Sequence, residues 1–167
     1  MILSIASGKG GTGKTTLALN LAEVADGSVQ LLDCDVEEPN DHLFFGGRIA
    51  GSEIVSIPVP RVDVSRCDGC GECSAFCVYN ALATVGSETI VFPELCHGCG
   101  GCTRICPRKA IEEVDHRIGT IETVRSGHNE LVYGRLDVGV PMAPPLIRKV
   151  KEHRNDAPLT ILDAPPG

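Results

Sequence analysis

The sequence contains no tryptophan, and only 4% of its 167 residues are aromatic. It also lacks any apolar run near the ~20 residues that a membrane-spanning helix requires. No basic segment precedes the apolar residues that follow Met1, as it would in a signal peptide. These absences predict neither a membrane span nor a secretory signal, and we expect a cytoplasmic protein.

Positive charge is also scarce, since the formal net charge is −7 at pH 7. This negative balance argues against a nucleic-acid partner, because binding a nucleic acid requires a positively charged surface that contacts many phosphates. The negative charge does not exclude a bound nucleotide, because one loop and one lysine can bind phosphate locally. What the sequence has in excess is cysteine, with nine residues. In a reducing compartment these are expected to be metal ligands more often than disulfides.

The segment from Gly8 to Thr16 matches G-x-x-x-x-G-K-[ST], the phosphate-binding loop. It lies between an apolar run, Ile2–Ser7, and a segment with helical periodicity, Leu17–Val24, which is the context that the motif requires. We expect its glycines to turn backbone N–H groups towards phosphate. Lys14 is expected to reach the β- and γ-phosphates, and the Thr15 hydroxyl to ligate Mg²⁺. The predicted nucleotide-binding residues of the loop are Gly8, Gly10, Gly11, Thr12, Gly13, Lys14, Thr15 and Thr16.

Apolar runs predict an α/β fold. A second strand is expected at Val29–Leu32, and strand, helix and strand in this order favour a parallel sheet. Further strands are expected at Leu131–Leu136 and Leu159–Leu162, with a helix at Leu146–His153 between them. The intervening segment is rich in cysteine and glycine, with short strand fragments such as Ile90–Phe92. We therefore predict one domain, residues 1–57 and 118–167, interrupted by another at residues 58–117.

The cysteine pattern of the intervening segment occurs twice. Cys67-x2-Cys70-x2-Cys73-x3-Cys77 recurs 29 residues later as Cys96-x2-Cys99-x2-Cys102-x3-Cys106. This spacing is typical of cubane iron–sulfur clusters, in which the fourth cysteine ligates the other cluster when two are present. Zinc sites and a disulfide framework are the alternatives. The ninth cysteine, Cys34, lies outside the pattern and is expected to be a buried free thiol.

This segment resembles the two-cluster bacterial ferredoxins, which are small α+β domains. The resemblance implies two 4Fe–4S clusters, one held by Cys67, Cys70, Cys73 and Cys106, the other by Cys96, Cys99, Cys102 and Cys77. Val78 stands where the family usually has proline, so the backbone beside Cys77 lacks the fixed φ that proline would impose.

The nucleotide-binding loop carries a second lysine, Lys9, and so resembles the deviant Walker A motif of the MinD/ParA family of P-loop ATPases. The resemblance implies a homodimer that sandwiches ATP, with Lys9 reaching the partner's nucleotide. Asp33-Cys34-Asp35 resembles the acidic motif of the family, in which the second acid, Asp35, helps to place Mg²⁺ and the attacking water. Either acid, and Asp33 more than Asp35, could instead cap the following segment.

Leu159–Gly167 resembles Walker B followed by the switch motif D-x-P-P-G. The resemblance implies that Asp163 orients Mg²⁺ and that the Gly167 amide senses the γ-phosphate.

The whole chain resembles the MinD-superfamily ATPases with an inserted ferredoxin domain, whose members continue beyond this motif. We therefore expect a truncated chain with an exposed sheet edge. The resemblance implies ATP hydrolysis coupled to electron transfer or metallocentre assembly, with a redox or apo-metalloprotein partner. The alternatives are an ATP-switched cluster carrier and an amidoligase of the cobyrinic acid diamide synthase type.

Overall fold

The computed structural model describes residues 1–167, and the chain divides into two compact units. One comprises Met1–Val55 and Ile118–Gly167, and the other Ser56–Arg117. The strands are β1 (Ile2–Ile5), β2 (Val29–Asp33), β3 (Arg48–Val62), β4 (Leu82–Val85), β5 (Glu88–Val91), β6 (Ile111–Ser126), β7 (Asn129–Leu136) and β8 (Leu159–Asp163). The helices are α1 (Lys14–Val24), α2 (His42–Phe45), α3 (Glu72–Phe76), α4 (Gly101–Ile105) and α5 (Pro144–Glu152), with a 3-10 turn at Pro93–Leu95.

A six-stranded sheet in the order β1-β8-β2-β7-β6-β3 forms the centre of the first unit. The pairs β1–β8, β8–β2 and β2–β7 are parallel, whereas β6 pairs antiparallel with β7. The predicted α/β fold with a mainly parallel sheet is confirmed. The first two strands along the chain are not neighbours, because the last strand, β8, lies between them.

The core of this unit forms where α1 covers the sheet. Ala18 and Ala22 of α1 are buried against Leu31 and Ile161 of neighbouring strands. All five residues of β2 are buried, as expected for a strand covered on both faces. On α5, Leu146 and Val150 are fully buried, and they pack close to Gly134 of β7. A Cβ at Gly134 would lie 2.9 Å from Val150 Cγ2, so only glycine fits there without a shift.

Two strands are much longer than the sequence predicted. β3 has 15 residues and β6 has 16, and the boundaries between the units fall within them. The first seven residues of β3 are all exposed, and Glu112, Glu113 and Asp115 interrupt the apolar residues of β6. These strands therefore contain no continuous apolar run. β6 joins β7 through the two-residue turn Gly127-His128, in which Gly127 has φ 59°.

The second unit holds two short helices, α3 and α4, and the antiparallel hairpin β4–β5. Its core is small and rich in sulfur. Cys73 and Cys102 pack with Leu82 and Ile111, and Cys96 packs with Val59 and Ala81. Across the whole chain, every helix is too short or too polar to span a membrane.

Candidate nucleotide site and cysteine cavities

The parallel strands bring the candidate nucleotide-binding residues to one edge of the sheet. Ile5 of β1 and Asp33 of β2 both pair with Asp163 of β8, so the carboxyl ends of three adjacent strands coincide. Ligands of open parallel sheets bind beyond this edge. The glycine-rich loop follows β1 and leads directly into α1 at Lys14.

The loop has the conformation of an anion-binding turn. Gly11 and Gly13 adopt φ 70° and 85°, and no atom lies within 4 Å of a Cβ built on either. Helix α1 has neither a side-chain cap nor an acidic residue in its first turn. The N–H groups of that turn and the positive end of the helix are thus directed at a position suited to phosphate.

Two hydroxyl groups form hydrogen bonds within the loop. Thr12 Oγ1 donates to Ser7 Oγ over 2.7 Å, and Ser7 Oγ donates to the Lys9 carbonyl over 2.8 Å. The Lys9 side chain is exposed, whereas Lys14 is half-buried. Sequence reasoning did not single out Ser7, because it precedes the motif.

Thr15 and Asp163 lie together at the candidate magnesium position. Thr15 Oγ1 donates to Asp163 Oδ2 over 2.6 Å, while Asp163 Oδ1 is buried without a hydrogen-bond partner. Burial raises the pKa of Asp163, and the charge of Lys14 opposes this rise. An orphaned carboxylate oxygen beside a hydroxyl is a donor set that suits Mg²⁺ bound with phosphate.

Asp35 and Gly167 lie at the same edge. Asp35 follows the end of β2, and burial raises its pKa while Lys14 lowers it. The Gly167 N–H donates to the Ser7 carbonyl over 3.1 Å, which joins the segment after β8 to the start of the glycine-rich loop. The structure thus collects Lys14, Thr15, Asp35, Asp163 and Gly167 around one position.

Asp33 and Asp41 form a buried acidic pair beside this position. Asp33 Oδ1 accepts from the Asp35 N–H over 2.9 Å, and Oδ2 from the Asp41 N–H over 3.3 Å, so Asp33 fastens the loop after β2. Asp41 is fully buried, and neither of its carboxylate oxygens has a partner. Burial, followed by the charge of Asp33, raises the pKa of Asp41 to about 8, and burial raises that of Asp33 to about 7. No sequence motif pointed to Asp41.

In the second unit the eight patterned cysteines surround two cavities. The first cavity is lined by Cys67, Cys70, Cys73 and Cys106, and the second cavity by Cys77, Cys96, Cys99 and Cys102. Each cavity thus takes three cysteines from one copy of the pattern and one from the other. Nowhere in the chain do three or more histidine, cysteine, aspartate or glutamate side chains converge closely enough to hold a single metal ion.

The repeat in sequence is also a repeat in structure. Helices α3 and α4 occupy equivalent positions, as do the left-handed residues Asn80 and Lys109, with φ 54° and 48°. Gly69 and Gly71 are matched in the second copy by Gly98 and Gly100, all with positive φ. Backbone N–H groups also reach sulfur, from Gly98 to Cys96 Sγ over 3.4 Å and from Ala110 to Cys106 Sγ over 3.3 Å. Cys34, in contrast, is buried in the first unit and lines neither cavity, and burial raises its pKa to about 12.

A parallel sheet with a phosphate-binding loop after its first strand, and acids at the ends of two others, defines a P-loop nucleotide-binding protein. Comparison with family models agrees, since residues 3–160 match the family described as the CobQ/CobB/MinD/ParA nucleotide binding domain (CbiA). The chain belongs to this family, whose members are typically NTPases.

Two curated relatives come from Methanocaldococcus jannaschii. The uncharacterized protein MJ0578 is 33% identical over 172 residues, an alignment that covers 100% of this chain and 60% of that protein. The uncharacterized protein MJ0579 is 28% identical, with 100% of this chain and 62% of that protein covered. The chain therefore spans less than two thirds of the length of either relative.

Proposed function

We propose that this protein hydrolyses ATP and uses the nucleotide state to control two 4Fe–4S clusters that serve electron transfer or metallocentre assembly. The nucleotide half of the proposal extends the family assignment. The observation that carries the iron–sulfur half is the division of eight cysteines between two cavities, in the sets of four that the repeat predicts.

In the nucleotide site, the backbone N–H groups of residues 10–16 and the ammonium group of Lys14 would hold the phosphates. Thr15 and Asp163 would hold Mg²⁺, whose role is to neutralise the charge that develops on the phosphates. Asp35 lies where a carboxylate could orient the attacking water. In the proposed dimer, Lys9 reaches the nucleotide of the second copy, and the exposure of its side chain supports this role.

In the second unit, the cavity-lining thiolates would each ligate one iron of a cluster. A tetrahedral zinc ion needs four sulfurs at about 2.3 Å from a single point. Each cavity is instead lined by three cysteines from one copy of the pattern and one from the other, the division that two neighbouring cubane clusters require, and this favours clusters over zinc. The N–H groups directed at Cys96 and Cys106 supply hydrogen bonds that stabilise negatively charged sulfur. Bound clusters would accept and release single electrons.

The route for coupling would begin at the phosphates. The Gly167 amide is bonded to the Ser7 carbonyl, and a γ-phosphate that accepts from this amide would break that bond. Segments ordered by a γ-phosphate move on its release, which is how nucleotide switches act.

A second candidate is delivery of a cluster to an apo-protein. Cys70 and Cys99, at equivalent places in the two copies, are exposed, whereas Cys73, Cys96 and Cys102 are buried. An exposed ligand gives a thiol of an acceptor access to one corner of each cluster. The amidoligase alternative leaves both cavities without a use.

Anaerobic purification with iron, sulfide and zinc analysis tests the proposal. We expect two 4Fe–4S clusters per chain. Cys77→Ser should reduce the iron content by about half, because Cys77 lines only the second cavity. Cys34→Ala is the matched control and should keep all the iron. Stoichiometric zinc, or equal loss of iron in both variants, would refute the iron–sulfur half.

ATP mixed with the loaded protein distinguishes the two candidate functions. It should speed the reduction of the clusters if the protein transfers electrons, and it should speed the release of a cluster to an apo-acceptor if the protein delivers clusters.

A further inference from the structure

The two copies of the cysteine pattern are held together by two residue pairs at equivalent positions. In each pair, one residue follows the first cysteine of one copy, and the other lies two residues after the fourth cysteine of the other copy. For the first cavity the pair is Asp68 and Arg108, and for the second cavity it is His97 and Tyr79. All four residues line the cavity to which their pair belongs.

The pairs differ completely in chemistry. Arg108 Nε donates to Asp68 Oδ2 over 2.7 Å, which makes an ion pair that we term the charged brace. The rings of Tyr79 and His97 stack with centroids 3.6 Å apart and an angle of 14° between their planes, which we term the aromatic brace. The repeat thus keeps the position of the contact and changes its polarity.

The surroundings of the braces extend this contrast. Beside the aromatic brace, the second cavity is also lined by Phe76, Val78 and two prolines, Pro58 and Pro60. Beside the charged brace, Asp68 Oδ1 accepts from the Cys70 N–H over 3.2 Å, and Thr89 Oγ1 lies 3.7 Å from Cys67 Sγ. Both cavities have apolar lining, such as Val62 and Ile111 in the first, so the difference lies in their polar side chains. The first cavity has an ion pair and a hydroxyl group beside its cysteines, whereas the second has stacked rings and the carboxylate of Glu113.

We propose that these two braces make the cysteine sites unequal in reduction potential, with the cluster of lower potential in the aromatic-braced second cavity. The inference rests on the proposed iron–sulfur function. Reduction adds one negative charge to a cluster whose thiolate ligands are already negative. In the first cavity Arg108 balances the charge of Asp68 and the Thr89 hydroxyl lies near sulfur, which lowers the cost of the added charge. In the second cavity the stacked ring faces exclude water and no lysine or arginine of the lining balances Glu113, which raises that cost. The first cavity therefore favours the reduced state, and the second disfavours it.

A redox titration of the anaerobically loaded full chain, followed by electron paramagnetic resonance, tests this inference. Iron and sulfide are measured first, and a chain without two clusters would overturn the proposed function together with this inference. With both clusters present, we expect two one-electron reduction steps, or waves, with different midpoint potentials, one for each cluster. Tyr79→Arg combined with His97→Asp introduces the charged brace into the second cavity. This double variant should raise the midpoint potential of the lower wave and leave that of the upper wave unchanged.

The matched control is Tyr79→Phe combined with His97→Phe, which keeps two stacked rings but removes the hydroxyl and the imidazole. It should leave both waves unchanged. If the charged variant loses iron, Tyr79→Ser replaces it, and the hydroxyl group and the water admitted in place of the ring should still raise the lower wave. Three results would overturn the inference and leave the proposed function standing. They are a single wave in the wild type, unchanged midpoint potentials in the brace variants, or an equal shift of the lower midpoint potential in the Phe control.

Discussion

Asp41 lies fully buried beside Asp33 with neither carboxylate oxygen hydrogen-bonded. Its raised pKa of about 8 means that the folded state keeps a proton that the unfolded chain releases above the ordinary aspartate pKa of 3.8. The folded protein therefore binds more protons than the unfolded chain between about pH 4 and pH 8. The free energy of unfolding must fall as the pH rises through this window.

We expect Asp41→Asn to raise the free energy of unfolding at pH 8 by about 1–3 kcal/mol, since it removes an uncompensated buried charge. The gain should shrink towards pH 5, where Asp41 is already protonated in the folded state. Denaturant titrations at the two pH values, followed by far-ultraviolet circular dichroism, measure it. Glu37→Gln, an exposed acid of the same loop, is the control and should show no such pH dependence. A gain that is equal at both pH values would contradict the assignment.

At the scale of single residues, the sequence predicted those whose role follows from local spacing. Lys14 and Thr15 stand in one continuous motif, and Asp163 ends an apolar strand. Asp41 could not be predicted, because its significance comes from burial beside an acid eight positions earlier. The partners Tyr79 and His97 belong to different copies of the repeat, so only a comparison of the two copies could have suggested them.

Strand β1 forms an edge of the sheet, because it pairs only with β8. Ile2 and Leu3 on this strand are 55% and 37% exposed, and Leu17 of α1 is 52% exposed. An apolar edge strand with unpaired backbone groups is a template for association. Strand β1 is therefore a site where this chain could pair with a second strand.

We expect the 167-residue chain to associate as its concentration rises, and Ile2→Lys to weaken that association, since a charge on an edge strand opposes pairing. Sedimentation velocity at several concentrations measures the effect without nucleotide. Val24→Lys, at an exposed apolar residue near the end of α1, is the control for added charge alone. A wild-type chain that is monomeric at every concentration would be the contrary result.

Among the elements, α1, β2, α5 and β8 were predicted to within a few residues, because each has a distinct apolar pattern. The strands β3 and β6 were not. Glycine, serine and proline interrupt the apolar residues of β3, and charged residues interrupt those of β6, so the pattern indicated short fragments and left their pairing unspecified. The antiparallel β6–β7 hairpin therefore came from the structure alone.

The whole molecule has two compact units, and the proposed ligands of each are different. We expect two unfolding transitions. Mg²⁺–ATP at 100 times its dissociation constant should raise the free energy of unfolding of the first unit by about 2.7 kcal/mol.

Lys14→Ala should abolish this gain and ATP hydrolysis but leave the visible absorption of the clusters intact. An iron chelator should remove only the transition of the second unit. Differential scanning calorimetry with parallel visible absorbance tests this, and one shared transition that both ligands move would contradict it.

The position of β8 between β1 and β2 sets an order for events on the ribosome. β1 is the first strand to be made, and its only neighbour is the last. All eight cavity-lining cysteines emerge before β8 is synthesised, so the cysteine-rich unit can fold first, while the host sheet is still incomplete. The chain order thus allows the proposed iron loading to precede nucleotide binding during synthesis. A chain that stalls before Leu159 would carry its cysteine sites without a finished nucleotide site.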